Sequence, residues 1–152
     1  MFYLFTWAEY EARGAFDDLV AHAPTFDAVW EQVARQESHH VMEIWRLLPD
    51  GSQVFIARKA AYEQPWVDMQ YQPFDPRPYM DADHRSRLEN LAGEYVQLVD
   101  TMRSGGYGGH DENYALDGTR LITHDALIAL TGQCRPVDMY QYCKNLLATR
   151  RT

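Results

Sequence analysis

The chain has 152 residues and a formal net charge of −8, and 46% of its residues are hydrophobic and 13% aromatic. This size fits one domain or two small lobes, and this hydrophobic content excludes a globally disordered chain. The charge is uneven, because residues 1–119 hold 9 Lys/Arg and 20 Asp/Glu whereas residues 120–152 hold 5 and 2. Carboxylates repel phosphates, so we expect the acidic part to meet a basic protein or to imitate nucleic acid.

The first 62 residues predict a compact β-β-α-β-β unit. Aromatic and β-branched residues favour strands, Thr25 is a good helix N-cap, and the Pro-Asp-Gly-Ser sequence at 49–52 is typical of a hairpin turn. The predicted elements are strands at 2–9 and 16–23, a helix at 26–36, and strands at 40–48 and 53–61.

Residues 63–80, here called the connection, contain four prolines among several aromatic residues. Proline opposes helix and its ring favours extended backbone, so the connection is predicted to be extended and held by its aromatic rings. Residues 81–152 predict a helical part. Its elements are a helix at 82–103, a small hairpin at 114–122, a short helix at 124–131 capped by Thr123, and a last helix from Pro136 to about 148.

Together these elements predict an α+β fold. The expected architecture is a four-stranded antiparallel sheet with one covering helix, followed by the helical C-terminal part.

No pattern in the sequence indicates catalysis. The Gly-rich residues 104–109 lack the Lys-Ser/Thr pair of a phosphate-binding loop and follow a helix instead of a strand. The serines lack a G-x-S-x-G setting, and neither cysteine lies in a protease signature. We therefore predict no catalytic residues, no enzyme activity and no cofactor.

The histidines do not predict a metal site either. His39 and His40 are adjacent near a strand start, so their side chains would point to opposite faces. The strongest remaining candidate is the sequence His-Asp-Glu at 110–112, but no spacing of the H-E-x-x-H or paired-cysteine type accompanies it.

The acidic surface is the better guide to function, since carboxylates can pair with Lys and Arg on a partner protein. A tyrosine at the tip of the Gly-rich loop would add aromatic contact area. The predicted partner-binding residues are Glu9, Glu11, Asp17, Asp18, Tyr107, Asp111 and Glu112.

Residues 126–140 (ALIALTGQCRPVDMY) resemble bacterial helix-turn-helix sequences, which place a small helix, a Thr-Gly turn and a recognition helix in succession. They depart from that pattern at Gln133 and Asp138, where apolar residues are expected. The resemblance implies an alternative function as a DNA-binding regulator through residues 123–149, with Arg135 and Lys144 on DNA. A plain helical hairpin that closes the core is the other interpretation.

The N-terminal part resembles small uncharacterised bacteriophage proteins. The matching residues are 2–5 (FYLF), 14–19 (GAFDDL), 25–29 (TFDAV) and the hairpin around 50–51, and the resemblance implies origin and no catalytic residues.

We therefore predict a non-enzymatic, acidic protein-binding module of phage or mobile-element type. It would inhibit a host nucleic-acid-binding defence complex, as anti-CRISPR proteins do; a toxin immunity protein is a further alternative. No signal peptide or apolar span is evident, and two free thiols suit a reducing compartment, so we expect a cytoplasmic location.

Overall fold

The computed structural model describes residues 1–9, 12, 14–105, 110–133 and 136–149. The chain divides into two compact units, Met1–Asp81 and Ala82–Thr152. The described residues of the first unit form a five-stranded antiparallel sheet with one helix, and those of the second form three helices. The predicted α+β class is confirmed, and the predicted strand number of four is one too low.

The sheet of the first unit has the order β2-β1-β3-β4-β5, and each adjacent pair is antiparallel. The β3–β4 hairpin turns as predicted, since Gly51 supplies a φ of 85° and Asp50 accepts a hydrogen bond from the Ser52 amide. The strands are β1 (Phe2–Trp7), β2 (Leu19–Ala23), β3 (Val41–Leu47), β4 (Gln53–Lys59) and β5 (Trp66–Val67).

The predicted second strand begins later than expected. A 3-10 turn spans Ala15–Asp18, and β2 starts only at Leu19. A register shift between Leu4 and Phe5 of β1 accompanies this change of direction. The Gly14 φ of 90° and the hydrogen bond from the Asp17 amide to the Gly14 carbonyl fold these residues into a turn, which overrides their strand composition.

One face of the sheet is covered by helix α1, Phe26–Val33. The Thr25 hydroxyl accepts a hydrogen bond from the Ala28 amide, as predicted for an N-cap. The helix ends three residues before the predicted boundary, because the Gln36 amide bonds to the Val33 carbonyl in a tighter final turn.

An aromatic cluster fixes the connection against α1. The Phe26 ring centre lies 6.0 Å from that of Phe2, 5.5 Å from Trp30, 6.0 Å from Phe74 and 5.7 Å from Tyr79. Burying several large rings together contributes both apolar area and favourable ring geometry. The cluster therefore joins α1, the first strand and the connection into one core.

The connection also supplies the fifth strand, which the sequence analysis missed. Trp66 and Val67 pair with Lys59 and Arg58 at the end of β4, and the Phe74 amide donates to the Trp66 carbonyl. Two residues are too few to show the alternation by which a strand is predicted.

A tight turn follows β5. The Asp68 carboxylate accepts hydrogen bonds from the amides of Gln70 and Gln72, both at 2.9 Å. Tyr71 adopts a left-handed φ of 60° in this turn, and it is 80% exposed. A side chain with a Cβ disfavours this region of backbone space.

Tyr71→Asn should therefore stabilise the protein, because asparagine tolerates left-handed backbone and the exposed tyrosine buries little area. We expect the free energy of unfolding to rise by about 1 kcal/mol, measured by urea denaturation. Met69→Asn is the control: Met69 is 62% exposed in the same turn and is not among the residues with positive φ. Equal effects of both substitutions would contradict the backbone explanation.

The second unit contains α2 (Ala82–Arg103), α3 (His110–Thr131) and α4 (Pro136–Ala148), and α2 packs against both α3 and α4. The predicted hairpin at 114–122 and the predicted cap at Thr123 are wrong. The Thr123 hydroxyl donates to the Thr119 carbonyl within α3, and Arg120 forms an ion pair with Asp117 at 2.8 Å. Such contacts at helical spacing stabilise one continuous helix.

The turn after α3 confirms the predicted helix end. Gly132 has a φ of 68°, and its amide donates to the Ile128 carbonyl. Gln133 is 4% exposed, so this polar residue occupies a buried position of the segment that resembles a helix-turn-helix.

The Cys143 thiol is free and buried, and burial raises its pKa to about 12, so it stays protonated.

His124 of α3 is 5% exposed and packs against the Tyr95 ring. Burial lowers its pKa; the Asp125 carboxylate, 3.9 Å from Nδ1, opposes this shift and the Arg120 guanidinium adds to it. The folded protein thus favours the neutral imidazole.

This burial predicts acid sensitivity. Below about pH 6.5 the unfolded chain protonates His124 before the folded chain does, so the free energy of unfolding should fall as the pH is lowered further. Urea denaturation at several pH values measures this slope. His124→Gln should make the slope shallower, because it removes the buried imidazole. An unchanged slope in His124→Gln would contradict the assignment.

Candidate functional site: an aromatic groove on the sheet

The side chains on the two faces of β1 differ in their exposure to solvent. Side chains alternate along a strand, and Phe2 and Leu4 are 6% and 0% exposed on the face that α1 covers. Tyr3, Phe5 and Trp7 point to the opposite face and are partly exposed. Aromatic side chains therefore lie on a face of the sheet where polar residues are usual.

These rings line a groove of about 390 Å³. Phe16, in the 3-10 turn, is 66% exposed and forms one wall. Its ring centre lies 6.4 Å from that of Tyr3 at an interplanar angle of 72°, and 6.3 Å from that of Phe5 at 49°. The groove's aromatic lining comprises Tyr3, Phe5, Trp7, Phe16 and Trp45.

Hydrogen bonds position the opposite wall, which β3 provides. The Trp45 indole N–H donates to Glu43 Oε2 at 3.0 Å, and the Trp45 ring packs edge-on against Phe55 with ring centres 5.4 Å apart. The other oxygen of Glu43 lies 4.0 Å from Arg58 Nε. Arg46 also lines the groove, but its guanidinium lies 5.2 Å from the centre of the Phe2 ring, which belongs to the face that α1 covers.

The wall that carries Phe16 depends on Asp18. The Gly14 amide donates to Asp18 Oδ2 at 2.7 Å, which closes the 3-10 turn. Asp18 is only 8% exposed, so the prediction that it is a surface carboxylate is wrong. Its oxygen satisfies a backbone donor inside the turn, whereas the neighbouring Asp17 and the predicted Glu9 are exposed.

The two units differ in net charge. The unit Met1–Asp81 contains 6 Lys/Arg and 13 Asp/Glu, and the unit Ala82–Thr152 contains 8 and 9. The acidic excess therefore belongs to the unit that carries the groove, and the helical unit is nearly balanced.

The other predicted site residues are placed as follows. Glu11, Tyr107 and Arg135 lie outside the described residues, and so do the side chains of Asp111 and Glu112. Lys144 is exposed on α4, and its ammonium lies 5.3 Å from the ring centre of Tyr140.

The same Tyr140 ring also has the Arg103 guanidinium 4.3 Å from its centre, and its hydroxyl donates to Asp100 at 2.6 Å. Lys144 thus belongs to a local cluster that links α2 and α4.

Sequence analysis missed the groove as a unit, although one signal was present. Tyr3, Phe5 and Trp7 recur at a spacing of two, which places three aromatic rings on one face of a strand. Their neighbours Phe2 and Leu4 already supply the core face. Apolar residues on both faces of one strand indicate either a second covering layer or a contact surface.

No protein-family model, curated protein or solved structure matches this chain. Among the described residues, no helix is both long enough and apolar enough to cross a membrane.

The contrast between Asp17 and Asp18 is testable. Asp18→Ala leaves the Gly14 amide without its acceptor, so we expect a loss of about 1–3 kcal/mol in the free energy of unfolding. Asp17→Ala, a matched change at an exposed carboxylate, should change it by less than about 0.5 kcal/mol. Urea denaturation measures both, and equal losses would show that Asp18 does not hold the turn.

Proposed function

We propose that this protein is a non-enzymatic protein-binding module that docks on a basic partner through the aromatic groove. The observation that carries the proposal is the grouping of five aromatic side chains on the face opposite α1, in the unit with the acidic excess. Aromatic residues are enriched in interface cores, where a few of them supply most of the binding energy.

The charge of the unit indicates the partner's chemistry. Arginine and lysine stack on aromatic rings and pair with carboxylates, so both features of the surface favour the same partner residues. Glu43 lines the groove, and exposed Asp17 lies between Phe16 and Asp18, which also line it. The exposed Glu9 lies two residues after the strand that carries Tyr3, Phe5 and Trp7.

Aromatic residues on neighbouring strands can also stack nucleobases, as in RNA-binding sheets. Single-stranded nucleic acid, however, needs a positively charged groove for its phosphates. Here Glu43 lines the groove and the exposed Asp17 lies beside it, within an acidic unit, so a protein is the better-supported partner.

The class of partner that we propose is a nucleic-acid-binding defence complex of a bacterial host. Such a complex presents a Lys/Arg surface to phosphates, and an acidic protein that occupies this surface would inhibit it.

Capture from bacterial lysate at low salt, followed by identification and binding measurements with the purified partner, tests the proposal. Phe16→Ser should weaken binding about tenfold or more by removing an exposed groove wall. Asp17→Lys should weaken it further, and raising the salt from about 0.1 M to about 1 M should weaken wild-type binding, because the Debye length falls from about 10 Å to about 3 Å.

Two control variants change an exposed ring and an exposed charge outside the groove. Tyr62→Ser removes a ring that is 65% exposed and does not line the groove, and Glu31→Lys reverses an exposed charge on α1. Both should bind as the wild type does. Binding that ignores salt, Phe16 and Asp17 alike would overturn the proposal, and a gel shift by the wild type that Lys144→Ala abolishes would favour the DNA-binding alternative instead.

A further inference from the structure

The aromatic lining of the groove offers few hydrogen bonds to the backbone of a bound peptide. Its wall opposite Phe16 is formed by β1 and β3, whose backbone groups bond to each other and to the flanking strands. The Trp45 indole N–H is already donated to Glu43. A peptide with ordinary backbone amides would bury N–H groups against rings that cannot accept them well, at a cost for each unpaired donor.

Proline-rich segments avoid this cost. Proline has no backbone N–H, and its polyproline II conformation exists before binding, so little conformational entropy is lost. Grooves lined by aromatic rings are the surfaces on which such segments dock. Five aromatic side chains line this groove, and the rings of Tyr3 and Phe16 pack edge to face at 72°.

Proline carbonyls remain strong acceptors, and the groove has a donor for them. Trp7 lines the groove, and its indole N–H has no acceptor among the described residues. Trp7 therefore combines an apolar ring with a hydrogen-bond donor available to a ligand carbonyl.

The acidic margin adds a requirement for positive charge. Glu43 lines one side of the groove, and Asp17 is exposed beside the Phe16 wall. A basic side chain flanking the prolines would meet these carboxylates, and arginine would also stack on the rings.

From these features we infer that the groove binds a proline-rich segment of the partner in the polyproline II conformation, with an arginine beside the prolines. This inference rests on the proposed function and specifies which part of the basic partner enters the groove. Charge complementarity excludes a second copy of this chain as the favoured occupant, since two acidic units repel each other.

Four blocked decapeptides test the inference, with binding followed by tryptophan fluorescence and by calorimetry. The first probe contains Pro-Pro-x-Pro followed by arginine, the second replaces its prolines by alanine, the third replaces arginine by glutamine, and the fourth carries both changes. We expect the first probe to bind most tightly, and each single change to weaken binding about tenfold.

Variants of the protein locate the site. Phe16→Ser should weaken the first probe about tenfold, and Trp7→Phe should weaken it by removing the indole N–H while retaining a ring. Val20→Ser, at an exposed apolar residue of β2 outside the groove lining, should bind as the wild type does. Circular dichroism of each variant checks that it is folded.

The outcomes separate the two proposals. Equal binding of the proline and alanine probes would overturn polyproline recognition, and so would binding that Phe16→Ser leaves unchanged. If the first probe does not bind but capture of a lysate partner still depends on Phe16 and Asp17, the inference fails and the protein-binding function stands. If that capture ignores Phe16 and Asp17, the proposed function fails whatever the peptides do.

Discussion

The packing of rings around Phe26 is the interaction on which the first unit depends. Phe26 begins α1, and its ring contacts residues from β1, from α1 itself and from the connection. Thr25 fixes the start of the helix, and the Asp81 amide donates to Asp27 Oδ2 at 2.8 Å, which holds the end of the connection beside it. One helix and one extended segment thus supply the core on a single side of the sheet.

That one-sided core explains why the opposite face differs. A sheet has two faces, and among the described residues of the first unit α1 and the connection cover the face that carries Leu4 and Ile44, both 0% exposed. The rings of Tyr3, Phe5 and Trp45 are left on the other face, where the 3-10 turn covers them only in part. An apolar groove of this kind is unfavourable in isolation, and a bound partner would remove its surface from water.

Much of the first unit could be predicted from local pattern. The helix α1, the Thr25 cap and the β3–β4 hairpin are encoded by residues close together in sequence, and the structure contains all three. The 3-10 turn could not be predicted in this way, because the bond between Gly14 and Asp18 outweighs strand composition only in the folded geometry. In α3, local pattern predicted a small hairpin at 114–122, but packing against α2 and the Asp117–Arg120 pair keep the helix continuous.

The site was less predictable than the fold for a related reason. Composition shows that the chain is acidic, but it does not show which carboxylates accept hydrogen bonds from backbone amides. Asp17 and Asp18 are adjacent residues of the same type, and only the folded turn makes one a surface charge and the other a buried acceptor. The aromatic spacing in β1 was visible, but assigning Tyr3, Phe5 and Trp7 to the uncovered face required knowing where α1 packs.

The two walls of the groove differ in how freely they can change during evolution. The wall formed by β1 and β3 belongs to the central strands, so substitutions there disturb the fold as well as the surface. The wall formed by Phe16 stands on a four-residue turn, and its ring is mostly exposed. Replacement of that one residue would change the width and chemistry of the groove at little cost in stability, so recognition could diverge quickly between related chains while the sheet stays the same.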